Sequence, residues 1–333
     1  MIPGHHFVSL RPQRPQLSLS LLLFLGLLNS PQSMAMGLMA APDEQRCAAD
    51  FAQRQSLASK QTNAAPSASK DRLKGSTTAQ GARDIAWAWL ALPTARYPHA
   101  SMGSVVHASR LQVLSRDGQI LQFDLPKQRV FEDLEPRIID LDGDGKDEII
   151  VIEADADRGA ALVSYGLRAK AGKTQLQELA RSSSLGLPFR WLSPVGFADF
   201  DGDGQLDIAS VTTPHIGGVL TLYRYTPPRI ELFAKAMDVS NHQMGDPNLQ
   251  MHAILSLPGQ RPTVIVPDMS RRALHALRWV SVPGGDHSKG EWKELADVKP
   301  LPGRVQYLMP SSAPHTACAQ LHDGSWWRID LTL

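Results

Sequence analysis

The sequence predicts an all-β chain of short strands, and three observations carry that expectation. Apolar runs after Arg83 are brief and rich in β-branched residues, as in Glu148-Ile149-Ile150-Val151-Ile152 and Asp207-Ile208-Ala209-Ser210-Val211. Turn formers break them often, with 24 prolines and 25 glycines in 333 residues. One segment also recurs. Asp140 to Glu153 reads DLDGDGKDEIIVIE and Asp199 to Val211 reads DFDGDGQLDIASV, the starts at 140 and 199 lying 59 residues apart. That interval holds about one four-stranded unit.

Each copy crowds carboxylates at alternate positions. Asp140, Asp142 and Asp144 take positions 1, 3 and 5 of a nine-residue frame, with Glu148 at position 9. Asp199, Asp201, Asp203 and Asp207 fill the same places in the second. Gly145 and Gly204 stand at position 6, where the chain must bend sharply. An oxygen-rich loop of this kind suits a hard cation, and calcium fits best. A helix–loop–helix calcium site is excluded, because its bidentate Glu at position 12 is replaced by Val151 and Ser210 and a strand follows instead of a helix.

A nine-residue acidic loop feeding a strand resembles the FG-GAP/VCBS repeat of integrin-α-like β-propellers. The resemblance implies a propeller in which calcium is structural, with the backbone carbonyls of Lys146 and Gln205, at position 7, completing the two shells. Asp147, at position 8, falls outside the ligand frame and is expected to face solvent.

Five degenerate repeats can be read from Asp84 to Leu333, 250 residues or about 50 each, which suits a propeller of about five four-stranded blades. A β-sandwich is the alternative fold. Just upstream of the first strand, Ser76 to Asp84 fits the nine-residue frame with Gly81 at position 6 and Asp84 at position 9, but its other ligand positions lack carboxylates, so no metal is expected there. Asp117-Gly118 and Asp323-Gly324, each flanked by apolar runs, are hairpin signals. The fourth repeat aligns Thr263-Val264-Ile265-Val266 on Asp207-Ile208-Ala209-Ser210, and Trp279 on Tyr223. Its loop, Leu255 to Arg261, has no carboxylate.

Before the repeats, residues 1–35 read as a signal peptide, with Arg11 and Arg14 ahead of the apolar run Leu17–Leu28 and cleavage expected after Ala35. Residues 36–83 read as one short helix within Asp43–Gln55, anchored by Phe51, and then a low-complexity, disordered arm. Export to a secreted or periplasmic location follows, with no membrane attachment after cleavage. Two cysteines, Cys47 and Cys318, are the number for one intramolecular disulfide in such a compartment. A formal net charge of +1 implies no basic face, so nucleic acid is not expected as a partner.

No GxSxG elbow, HExxH helix, P-loop or CxxC occurs, and no catalytic residue is assigned. His215, His242, His252 and His275 are candidates to gather on one face. Trp87, Trp89, Trp326 and Trp327 alternate as core strand residues do. Arg271 and Arg272 are candidates for an exposed patch. The expected function is a calcium-binding module that contacts an unidentified protein or glycan. The alternative is a polysaccharide-degrading lyase or hydrolase built on the same scaffold.

Overall fold

Strand pairing in this chain is sequential almost throughout, as short turns between apolar runs dictate. The computed structural model describes residues 37–64, 71–296 and 298–332; the expected signal segment lies outside them. At the N-terminal end, β1 (Gly37–Pro42) precedes α1 (Glu44–Ala64). A first antiparallel meander follows: β2 (Ala79–Gln80), β3 (Ile85–Thr94), β4 (His107–Ser115) and β5 (Ile120–Asp124). The short β6 (Arg129–Phe131) bridges β4 to the second meander. That meander is β7 (Arg137–Ile139), β8 (Glu148–Asp155), β9 (Gly159–Lys170) and β10 (Lys173–Ser182).

The third runs β11 (Leu192–Ala198), β12 (Asp207–Thr212), β13 (Val219–Thr226) and β14 (Arg229–Met237). The fourth is β15 (Ala253–Leu255), β16 (Thr263–Pro267), β17 (Ala273–Ser281) and β18 (Gly290–Glu294), with β19 (Lys299–Pro300) pairing back onto β17. The last takes three strands from the C-terminal end, β20 (Val305–Pro310), β21 (Thr316–Leu321) and β22 (Trp326–Thr332). Its fourth place is filled by β1, antiparallel to β22 from Gly37↔Thr332 to Pro42↔Trp327.

Both hairpin signals hold, Asp117-Gly118 joining β4 to β5 and Asp323-Gly324 joining β21 to β22. They are not equivalent, since one turn joins the third and fourth strands of its set and the other the second and third.

The apolar runs are continuous rather than alternating because the inner strands are covered on both faces. Along β8, Ile149 and Val151 enter a cluster with Leu90, Leu111 and Val163, whereas Ile150 and Ile152 point the other way, toward Trp191, Ile208 and Tyr225. A third cluster joins the third and fourth meanders through Val211, Leu222, Val264 and Trp279. A fourth joins the fourth and fifth through Ile265, Leu274, Leu308 and Ile329. Of the four tryptophans read as core, Trp89 and Trp326 are buried and Trp87 and Trp327 half-buried.

The far face of the fifth meander is covered by α1, and here the expected disordered arm is corrected. The helix runs on to Ala64, and residues 71–80 pair with β3, Leu73 N–H donating to the Leu90 carbonyl (2.9 Å). Local composition missed this because tertiary contacts hold the helix. Cys47 is bonded to Cys318, with Cα atoms 5.4 Å apart. Phe51 lies between Tyr307 and Trp326 (ring centroids 5.1 and 5.2 Å). Asp50 accepts hydrogen bonds from the Ser311 (2.5 Å) and Ser312 (2.6 Å) hydroxyls. A buried disulfide fits an oxidising compartment, and no described helix is long and apolar enough to cross a membrane.

Because the bridge spans 271 residues, it removes much chain entropy from the unfolded state. Paired Cys47→Ala and Cys318→Ala substitution is expected to lower stability by about 2–5 kcal/mol. Chemical denaturation of the oxidised chain and the double variant measures it, and equal midpoints would exclude the staple.

Candidate metal centre

The two acidic loops occupy the same place in consecutive meanders. Residues 140–148 lead from β7 into β8, and residues 199–207 from β11 into β12. Each is a tight reversal with glycine at positions 4 and 6 in the left-handed region: Gly143 (φ 73°), Gly145 (83°), Gly202 (77°) and Gly204 (89°). Four internal hydrogen bonds match between them, and the second loop adds Gly202 N–H to Asp199 (2.6 Å) and Asp201 N–H to Asp207 (3.4 Å). The carboxylates of Asp140 and Asp199 accept from the N–H of Gly145 and Gly204, each at 3.1 Å. Those of Asp142 and Asp201 accept from Asp144 and Asp203, each at 3.2 Å. Those of Asp144 and Asp203 accept from Lys146 and Gln205, each at 2.8 Å. At position 9, Glu148 accepts from Leu141 N–H (3.0 Å) and Asp207 from Phe200 N–H (3.2 Å).

These bonds turn the remaining oxygens inward. Asp140, Asp142 and Glu148 bring one oxygen each within 4.8 Å of one another, and so do Asp199, Asp201 and Asp203. Asp144 and Asp207 complete the two frames at their edges. Buried oxygens without a hydrogen-bond partner remain on Asp140 (Oδ1) and Asp207 (Oδ1), which is the condition a cation would satisfy. Burial, reinforced by Asp142, pushes Glu148 up to about 7. Burial and then Asp201 push Asp207 up to about 7. The donor set fits a hard, oxygen-binding ion: carboxylates, with the Lys146 and Gln205 carbonyls available beside them.

Asp147 does not face solvent. It is 1% exposed. Its carboxylate accepts from the N–H groups of Arg83 (2.7 Å), Ile85 (3.2 Å) and Ala82 (3.4 Å), in the carboxylate-poor loop that leads into β3. Asp84 returns the contact, accepting from Asp147 N–H at 2.8 Å. Position 8 is thus a tie to the preceding loop, invisible to reasoning about one loop at a time.

Arginines, which the sequence reading left out, approach both acidic loops. Arg168 Nη2 lies 3.2 Å from Glu148 and 3.7 Å from Asp144. Arg83 Nε lies 3.6 Å from Asp140. In the second loop a single Arg224 nitrogen donates to Asp201, lies 3.0 Å from Asp203 and 3.9 Å from Asp207.

Of the four grouped histidines, two meet: His215 Nε2 lies 2.8 Å from His242 Nδ1, beside Trp191, whose ring stacks on His215 (5.8 Å, 6° between planes). His275 pairs instead with Glu294 (2.8 Å), and His252 is buried with its Nδ1 unpartnered. Arg271 is half-buried, donating to Gln243 (2.6 Å), whereas Arg272 is exposed.

An all-β architecture with paired acidic loops between first and second strands defines a repeat protein whose acidic clusters could hold a metal ion. Residues 140–210 match the family model of the FG-GAP-like repeat, a span that opens on the first acidic loop and closes just after the second. That segment carries an FG-GAP-like repeat. No curated protein matches the chain significantly.

Two predictions follow from this geometry. Asp147→Ala strands three backbone N–H groups and is expected to destabilise the fold by about 3 kcal/mol, against roughly zero for the exposed Asp157→Ala. Equal denaturation midpoints for the two variants would refute the tie. Burial, then the neighbouring His242, holds His215 down to about 3; burial holds His242 down to about 4. The unfolded chain therefore takes up protons first, below about pH 6.5, and the stability these rings contribute falls as pH drops from 6.5 toward 4. The melting-temperature gap between the protein and a His215→Asn/His242→Asn variant should narrow from pH 7 to pH 5, and a constant gap would contradict it.

Proposed function

We propose that the protein is an exported, propeller-like module of about five four-stranded blades, with calcium as a structural ion in its two acidic loops and a binding or scaffolding role toward a protein or glycan. The observation that carries this reading is the hydrogen-bond frame shared by residues 140–148 and 199–207, beside which buried carboxylate oxygens of Asp140 and Asp207 lack a hydrogen-bond partner. Asp140, Asp142, Asp144 and Glu148 would hold one ion with the Lys146 carbonyl. Asp199, Asp201, Asp203 and Asp207 would hold the other with that of Gln205. Such an ion neutralises carboxylates that otherwise repel, and its binding energy adds to folding.

The ring arrangement is supported by β1 completing the set formed by the C-terminal strands, which brings the first and last described strands together. The binding role is supported by the loops at the opposite end of the strands from the acidic turns. Phe189, Ile216 and Met244 there leave apolar side chains 44%, 63% and 52% exposed. Export is supported by the disulfide and by the N-terminal apolar run.

Thermal melts in calcium, in magnesium and in chelator test the structural role. Calcium at about 100 times its dissociation constant should add about 2.7 kcal/mol, several degrees in melting temperature, with magnesium adding much less. Asp142→Asn should remove most of the gain. Asp142 is the better target than Asp201, whose loss would also strand Arg224. Identical melts in calcium and chelator would overturn the reading.

A further inference from the structure

The arginines at the loops follow a rule of register. Position 9 of each of these loops begins the second strand of its meander or, for Asp84, immediately precedes it, and the residue facing it on the third strand's side is an arginine in three cases. In the first meander it is Arg116, whose N–H donates to the Asp84 carbonyl (2.7 Å). In the third, Arg224 pairs with Asp207. In the fourth, Arg278 pairs with Thr263, so that Trp279 stands in the place of Tyr225 rather than Tyr223.

In the two carboxylate-poor loops the guanidinium fills the turn itself. Arg116 donates to the carbonyls of Gly81 (2.7 Å), Arg83 (3.1 Å) and Ile85 (3.2 Å). Arg278 donates to the Thr263 hydroxyl (2.9 and 3.1 Å) and to Gln260 (3.0 Å), residues at positions 9 and 6 of its loop.

The second meander departs from the rule. Gly166 stands opposite Glu148. Its arginine comes two residues later, with the Arg168 guanidinium running over Gly166, 3.2 Å from where a Cβ would stand. Approaching from that side, Arg168 meets Glu148 and Asp144, and among these arginines only Arg83, at 3.6 Å and exposed, comes near Asp140. Arg224, by contrast, sits among positions 3, 5 and 9 at once. Its guanidinium is also stacked over Phe233 (5.1 Å).

We propose that Arg224 is the resident cation of the second acidic loop, held by the ladder where a metal would otherwise sit, so that the two loops are unequal: residues 140–148 form the calcium-responsive site and residues 199–207 take calcium only by displacing a guanidinium. The placement does not depend on side-chain freedom alone, because the β12–β13 register puts the Arg224 backbone beside Asp207. A metal in the second loop must separate the guanidinium from Asp201 and Asp203 and move it within a partly buried pocket, which weakens binding. The inequality of affinities rests on the calcium reading, whereas the resident-cation role does not.

Calorimetric titration of calcium into the metal-stripped full chain, with parallel melts in chelator, tests both. One tight site and a second at least tenfold weaker are expected, and Arg224→Gln should bring the second within about threefold of the first. In chelator, Arg224→Gln should lower the melting temperature, with Arg224→Lys falling between it and the unmodified protein. Two equal tight sites in the unmodified protein, or an Arg224→Gln chelator melt identical to it, would overturn the proposal. If Arg224→Gln does not fold, the Arg224→Lys titration serves, with strengthening of the weak site expected and unchanged affinities overturning. A chain that binds no calcium yet loses stability in chelator on Arg224→Gln would overturn the calcium reading alone and support the resident cation.

Discussion

Carboxylates crowded at a chain reversal must be neutralised, and much of this structure is arranged around that requirement. Like charges about 4 Å apart near a protein surface repel by on the order of 4 kcal/mol, and the two acidic loops hold five and four carboxylates within nine residues. Backbone N–H groups absorb part of the charge through the bonds to Gly145, Lys146, Gly204 and Gln205. The remainder calls for a cation. Strands β8 and β12 start at the last carboxylate of each loop, so an unneutralised loop would fray the strand it feeds.

The same economy appears where carboxylates are missing. The loop ahead of β3 borrows an acceptor, Asp147, from its neighbour, and takes its donors from Arg116. That exchange ties the first meander to the second by polar contacts at one edge, while Leu90, Leu111, Val151 and Val163 tie them by apolar packing. Burial on both faces then explains why β8 has no exposed side. The fifth meander lacks a described strand set on its outer face, and α1 covers it, pinned by the disulfide and by Phe51.

Much of this was legible in the sequence, because the informative signals are local. Acidic positions at fixed offsets, the Asp-Gly hairpins and the β-branched runs all lie within a dozen residues. The cysteine pair could be read by counting. What escaped depends on pairing between distant segments. β1 carries no strand alternation of its own and is defined by the ladder with β22. Asp147 looks like a surplus charge until the preceding loop is set beside it. The arginines are the clearest case: Arg116 follows Asp84 by 32 residues, Arg224 follows Asp207 by 17 and Arg278 follows Thr263 by 15. No fixed spacing reveals them, yet in register they are one position.

Register also links the two ends of each strand set. β11 starts beside Trp191, on which His215 stacks, and ends at Asp199, while β12 starts at Asp207 and ends next to the loop holding His215. Because side chains alternate along a strand, a one-residue slip at the acidic turn would reverse every side chain between it and the opposite loops. A cation that fixes position 9 therefore also fixes where the exposed loops stand, whether the charge is a metal or a guanidinium. Charge neutralisation thus stands at one end of the strands and the partly apolar loops at the other.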